Sequence, residues 1–341
     1  MITMPSFYDQ SRCGKLVKPE CEIAARAGSD FAKKNSIPPS LKGGTAPNII
    51  LVAIDMQIDF VSSDVGNLYV PGAEQDVHRL NQFIATNVAS ISEIVASLDT
   101  HYLFQPFHPF NWVAGKSPAR RHDGTPYLEG DHPDPFTLIT KEDLGNDIWQ
   151  PSRHISLMRE YVDRLETDRK KTLCIWPLHC EEGTPGRALD PTFMEMIHWH
   201  AAARKRQYNL TIKGMSQLSE HYGILKAEVR FDQDPNTQLN VGMIDKWSRA
   251  DRIYFCGQAK THCVLETLRQ TVDIFKQRSP EILEKLFVLQ DVMSPVPDIK
   301  DSSGNVLVPF NEIANDAFAD MAKDGVKFID STDPIDLVTT I

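Results

Sequence analysis

An unbroken apolar run, Asn48-Ile-Ile-Leu-Val-Ala-Ile54, predicts a strand buried on both faces, as strands of parallel sheets are. Similar short runs over residues 94–98, 172–176, 210–213, 252–257 and 285–289 predict five more strands. Between them the apolar positions take up helical spacing, over about 73–92, 154–168, 190–206, 238–248, 262–276 and 310–323. Strand and helix alternate, which predicts an α/β fold. The expected form is a Rossmann-like three-layer αβα sandwich around a mainly parallel six-stranded sheet, with right-handed crossovers and ligands beyond the carboxyl ends of the strands.

Two stretches break the pattern. Residues 1–47 mix Cys, Lys, Pro and Gly without clear periodicity and close on Lys42-Gly-Gly-Thr-Ala-Pro47. They predict an N-terminal extension, wrapped on or loosely tethered to a single domain over 48–341. Residues 109–153, rich in Pro, Gly, Asp and Trp, are too long for an ordinary connection and predict an insertion serving as a lid or interface segment.

A composition of 41% hydrophobic and 24% charged residues is that of a soluble globular protein. The formal net charge of −10 argues against a nucleic-acid backbone or an anionic membrane surface as the main partner. The start Met1-Ile-Thr-Met-Pro-Ser6 lacks a basic stretch followed by an apolar one, and no window approaches the roughly 18 apolar residues of a membrane span, so a cytoplasmic location is expected. Six widely spaced cysteines read as free thiols, although Cys13 and Cys21 are near enough to pair. The basic runs Arg169-Lys-Lys171 and Arg204-Lys-Arg206 read as solvated charge, and His198 and His200 as surface or packing residues.

The expected strand ends present a short set of reactive side chains: Asp55; Asp99-Thr-His101; Trp176-Pro-Leu-His179; Lys213-Gly214; and Cys263 in Phe255-Cys-Gly-Gln-Ala-Lys-Thr-His-Cys-Val264. A thiol where a strand turns into a helix sits among unpaired N–H groups that lower its pKa. Each residue has an ordinary alternative: Asp55 capping a turn, Lys213 solvated, His179 hydrogen-bonded in a loop, Cys263 a small buried hydrophobe. Together an acid, a lysine and a cysteine at three strand ends make a nucleophile with its proton acceptor and an electrostatic supporter.

With these motifs the chain resembles the isochorismatase-like cysteine hydrolases, and within them the nicotinamidases. The motifs are Val52-Ala-Ile-Asp-Met-Gln-Ile-Asp-Phe60, Tyr69-Val-Pro-Gly-Ala73, Asp99-x-His101, Trp176-Pro-Leu-His179-Cys180 with Gly183-Thr-Pro-Gly186, Lys213-Gly214, and Gly257 to Val264, spanning roughly residues 48–290. The resemblance implies a cysteine-dependent amidohydrolase converting a small, aromatic carboxamide to the acid and ammonia through a thioester. Asp55 would accept the Cys263 proton and later activate water, with Lys213 stabilising charge. Backbone N–H groups of Ala259 and Cys263 would form the oxyanion hole, beside a cis peptide at Gln258–Ala259. Asp99, His101 and His179, with His108 as a further candidate, would bind a divalent metal: zinc, with iron or manganese as alternatives. Phe60 and Trp176 would clamp the substrate ring, with Gln258, Lys260 and Tyr222 on the pocket wall. A homo-oligomer with a small-molecule amide substrate is the implied assembly.

The chain also departs from the family pattern. Thr100 replaces an aromatic; Gln258 and Thr261 replace an aliphatic and an acidic residue; Lys260 adds a cation; and Tyr222-Gly223 stands where Tyr-Ser is common. With the insertion, these changes point to an amide larger or more polar than nicotinamide. Two other readings stay open. One is a metal-independent hydrolase of the same superfamily acting on a carbamoyl, biuret-like or vinyl-ether substrate; the other is a non-catalytic scaffold retaining the fold.

Overall fold

The structure is a computed structural model, described over residues 4–40, 46–117, 119–121, 123–169, 171–301, 303–333 and 335. Residues 1–3 and 41–45 of the expected N-terminal extension and Lys170 of the first basic run lie outside the described residues.

Six strands form the central sheet: β1 (Ile49–Ile54), β2 (Glu93–Asp99), β3 (Asn209–Lys213), β4 (Arg252–Gly257), β5 (Leu286–Leu289) and β6 (Lys327–Ile329). Their order is β6-β5-β4-β1-β2-β3 and every pairing is parallel. Along β1 the side chains alternate between two cores: Ile49, Leu51 and Ala53 enter one, Ile50, Val52 and Ile54 the other. The first core is covered by α2 (Ala73–Thr86), α3 (Ile155–Arg169) and α4 (Pro191–Arg204), through residues such as Phe83, Tyr161 and Met196. The second is covered by α5 (Val241–Ser248), α6 (Leu265–Arg278) and α7 (Phe310–Lys323), through Trp247, Leu268 and Phe318. This is the three-layer sandwich.

One expected strand is exchanged for another. Residues 172–176 contribute only the pair Leu173–Cys174, which runs antiparallel to Leu138–Ile139 and lies outside the central sheet. That apolar run is buried by the 109–153 segment, whose backbone also pairs with Ile175 at Phe136 and Thr137, and Pro177 then removes a donor. The sixth strand is Lys327–Ile329, too short and too exposed to show an apolar run. The 109–153 segment has its own buried side chains, Trp112, Tyr127, Leu144 and Trp149.

The N-terminal stretch, aperiodic to the eye, contains the helix α1 (Cys21–Asn35). It lies on α4, with the Phe31 ring 5.1 Å from Trp199. Before it, the Arg12 guanidinium forks onto the fully buried Glu195 of α4 at 3.0 and 2.8 Å. Arg206 pairs with Glu93 at 2.9 Å and Arg204 is buried, so the second basic run is not simply solvated. His200 is buried against the Ile91 carbonyl, and all six cysteines are free. Among the described residues no helix is long and apolar enough to cross a membrane.

The chain runs outward from β1 through β2 to β3, then returns to the other side of β1 to continue through β4, β5 and β6. The order therefore reverses between β1 and β4, and crevices for ligands open at the carboxyl ends around such a point. Gly257, at φ 126°, permits the approach there: a Cβ on it would lie 2.1 Å from the Ile54 carbonyl oxygen.

Candidate active site

Asp55 directly follows β1, and Cys263 follows β4 after the turn that contains the cis Gln258–Ala259 peptide. Asp99 and Lys213 end β2 and β3 as register partners. The Lys213 ammonium lies 2.9 Å from Asp55 Oδ2, 2.9 Å from Asp99 Oδ1 and 3.5 Å from Cys263 Sγ. All four residues are buried. Ser97 Oγ donates to Asp55 Oδ1 at 2.6 Å and accepts from the Asp55 N–H at 3.0 Å, fixing the carboxyl plane.

Burial pushes the Asp55 carboxyl up, with Lys213 opposing. Burial also works against the Lys213 charge, but Asp55 and Asp99 outweigh it and hold the ammonium well above its usual range. The Cys263 thiol is driven well above its usual range by burial, Lys213 again opposing. This corrects the expectation of a thiol activated by a helix start. Cys263 sits inside a π-helical turn, Lys260–Val264, ahead of α6, and desolvation outweighs any dipole effect. The resting thiol is protonated, so a thiolate must be made by proton transfer to a neighbour.

Beside this cluster, the ligand atoms of Asp99, His101 and His179 lie within 4.8 Å of one another. His101 Nδ1 faces the Gly214 carbonyl at 3.2 Å and His179 Nδ1 the Pro177 carbonyl at 2.8 Å. With both Nδ1 atoms protonated, each Nε2 keeps its lone pair, and His101 Nε2 lies 3.0 Å from Asp99 Oδ2. Burial lowers His179 to about 3, so its ring is neutral, as a ligand must be. Among the described residues, the buried Nε2 of His108 has no hydrogen-bond partner, and that of His101 faces only the Asp99 carboxylate. This donor set fits a divalent cation of the zinc, iron or manganese kind. His108 stands back: its ring centroid is 5.7 Å from those of His101 and His179, and it is outside the close group. Gly214, at φ 83°, makes room for the pair, since a Cβ there would fall 2.5 Å from Asp99 Oδ1 and 2.7 Å from His101 Cε1.

Cys263 opens onto a cavity of about 30 Å³, lined also by Phe60, Trp176, His179, Tyr222 and Ala259. Phe60 meets His179 edge-on at 5.5 Å, and Trp176 Nε1 donates to the Tyr222 hydroxyl at 2.9 Å. Two residues expected on this wall are elsewhere. Gln258 is buried and donates to Asp76 Oδ2 at 2.8 Å, while Lys260 Nζ donates to Asn311 and Asn315 of α7 at 2.9 and 2.7 Å. The tight turn after β4 carries both side chains away from Cys263. Thr261 turns to accept from the Val296 N–H at 3.1 Å.

No protein-family model and no curated protein matches the chain. Solved structures do. The yeast nicotinamidase Pnc1p superposes at a TM-score of 0.50 with 17% identity, covering 83% of this chain and 99% of that chain. The same enzyme bound to the inhibitor nicotinaldehyde gives 0.51, 17%, 83% and 99%. This chain has the nicotinamidase fold.

Within that nicotinamidase fold, several residues at the site escape sequence reasoning. Gln57 clamps Asp99 by donating to its carbonyl at 2.8 Å and accepting its N–H at 2.7 Å. Asp59 accepts from the Cys180 N–H at 2.6 Å and so fixes the turn after His179. Both stand in the Asp55–Phe60 motif, but only the folded chain gives them targets. His262 and Glu220 line the cavity as well. Burial pushes the Glu220 carboxyl up to about 7, with His101 opposing. Ser97 carries a signal: it lies two residues before Asp99 on β2, beside the end of β1.

Proposed function

We propose that this protein is a cysteine-dependent amidohydrolase acting on a small aromatic carboxamide. The reading is carried by the Lys213 ammonium within 3.5 Å of Cys263 Sγ and 2.9 Å of Asp55 Oδ2. Asp55, its pKa raised by burial, takes the thiol proton, and Lys213 stabilises the charge that passes between them. The thiolate attacks the amide carbon, and the oxyanion is met by the Ala259 and Cys263 N–H groups. The C–N bond breaks as the Asp55 proton moves to nitrogen, releasing ammonia and leaving a Cys263 thioester. Asp55 then removes a proton from water, which attacks the thioester; the acid leaves and the proton returns to sulfur.

Asp99, His101 and His179 would hold a divalent metal, zinc or alternatively iron or manganese. Such an ion, when bound, supplies a Lewis-acid position for a lone pair of the substrate. Phe60 and Trp176 would sandwich the ring. A catalytic free thiol suits a reducing compartment such as the cytoplasm. Purified protein is incubated with benzamide, nicotinamide and related carboxamides, and ammonia is assayed. Release by wild type that disappears in Cys263→Ala is expected; no release, or undiminished release by the variant, contradicts the reading.

A further inference from the structure

The cavity at Cys263 has room for about two waters. Beyond one wall lies a second cavity of about 500 Å³, within the size range of small-molecule sites. Trp176, Tyr222 and His262 line both. The partition is therefore made of side-chain rings. His262 meets Trp176 edge-on at 5.1 Å, lies 5.4 Å from Tyr222, and on its far side meets Phe310 at 4.6 Å. A passage between the cavities would open by rotamer change of these rings, at the expense of the Trp176 Nε1 to Tyr222 hydroxyl hydrogen bond of 2.9 Å.

The floor of the larger cavity is ionic. Arg169 and Lys171 both pair with Glu228 and Glu266, at 2.7 to 3.2 Å. Their exposure is unequal: the two cationic side chains are 24% and 21% exposed, the two carboxylates 0% and 3%. The two cations are thus the more accessible members of a paired cluster, although Glu266 also lines the cavity, and the pairing corrects the expectation that this basic run is merely solvated. Arg269 also lines the cavity but is paired with Glu266 at 2.7 Å, and the exposed Asp273 is the second lining carboxylate after Glu266. Lys171 Nζ lies 5.4 Å from the Tyr222 ring centroid, so the cationic floor reaches the aromatic partition.

We propose that the two cavities form one bipartite substrate site. The carboxamide enters at Cys263, and its acyl portion continues past Trp176 and Tyr222 as an apolar or aromatic body, ending in an anionic group held by Arg169 and Lys171. The proposal rests on the amidohydrolase reading, and names the substrate class as extended carboxamides with a terminal carboxylate or similar anion. It also accounts for a reactive cavity too small for a whole ring: the ring, held between Phe60 and Trp176, takes the place now filled by Tyr222 and His262.

Three probes test it: benzamide, biphenyl-3-carboxamide and 4′-carboxybiphenyl-3-carboxamide. The wild-type kcat/KM for the carboxylated probe is expected to exceed that for the neutral biphenyl by about tenfold, the effect of one hydrogen bond to a charged group. Benzamide should be poorer than both. Ile313→Trp, which fills the larger cavity, and Lys171→Gln should each reduce the ratio of carboxylated probe to benzamide by about tenfold. Calorimetry on Cys263→Ala reads binding alone. Preferential binding of the carboxylated probe without hydrolysis by wild type supports the bipartite site and overturns the amidohydrolase reading. Equal binding and equal kcat/KM for the three probes, or ratios unmoved by both variants, overturn the bipartite site.

Discussion

Replacing Asp55 by asparagine separates catalysis from stability at this site. In the proton-accepting state, with Asp55 and Asp99 ionised, the buried cluster of Asp55, Asp99 and Lys213 carries −1 − 1 + 1 = −1. The Asp55→Asn substitution would bring that sum to zero. Lys213 would keep Asp99 at 2.9 Å, so no buried charge loses its last partner, and the amide oxygen can still accept from Ser97. The carboxylate removed is one that burial opposes. Stability should hence stay within about 1 kcal/mol of wild type or rise, against the roughly 3–5 kcal/mol lost when a buried charge is stranded. Activity should fall about 10³-fold, roughly 4 kcal/mol, because no group remains to take the thiol proton.

The pH dependence follows from the same raised carboxyl. In wild type the proton-accepting form is lost as pH falls through a value above the ordinary carboxylate range, so kcat/KM declines on that limb; in Asp55→Asn the limb disappears. A carboxyl whose folded pKa is raised costs stability above that pKa, and the cost is relieved on acidification. The stability margin of the variant over wild type should therefore shrink as pH falls. Ammonia release and thermal unfolding across pH measure both effects. Activity within tenfold of wild type, or a Tm fall of more than about 2 °C at neutral pH, would refute the reasoning.

Arg12→Ala removes the ion-pair partner of the fully buried Glu195, leaving it the Glu20 N–H at 2.7 Å, and should cost about 3 kcal/mol, read as a lower Tm and faster limited proteolysis before α1; a loss under about 1 kcal/mol contradicts this. Gly214→Ala drives a Cβ into Asp99 and His101 and should weaken metal binding by roughly 10–100-fold in a zinc titration, with unchanged affinity as the contrary result. Lys260→Met should leave kcat/KM within about twofold, since its ammonium is bound to Asn311 and Asn315 and turned from Cys263; a tenfold loss would return it to the pocket.

Much of the architecture is legible in the sequence because buried parallel strands are apolar throughout, as β1 is. Two kinds of feature are not. The run at 172–176 has strand composition, yet it takes its backbone partners from the 109–153 segment, and composition does not say which neighbour will bury a segment. Lys327–Ile329 pairs at the sheet edge with half-exposed side chains and gives no apolar run. At the site, strand ends bring Asp55, Asp99, Lys213 and Cys263 together, because parallel strands deliver their carboxyl ends to one side. Side-chain direction within a tight turn is another matter. Gln258, Lys260 and Thr261 are neighbours of Cys263 in sequence, and the turn points the first two toward Asp76 and α7. The raised thiol pKa is hidden for a related reason: position relative to a helix is visible in sequence, whereas complete burial is not.

Mass mapping after rapid acid quench tests the central claim most directly. Enzyme turning over a hydrolysed carboxamide should carry the acyl group as a hydroxylamine-sensitive thioester on the peptide containing Cys263. Turnover with Cys263 unmodified throughout, or with the acyl group on another residue, would contradict the account.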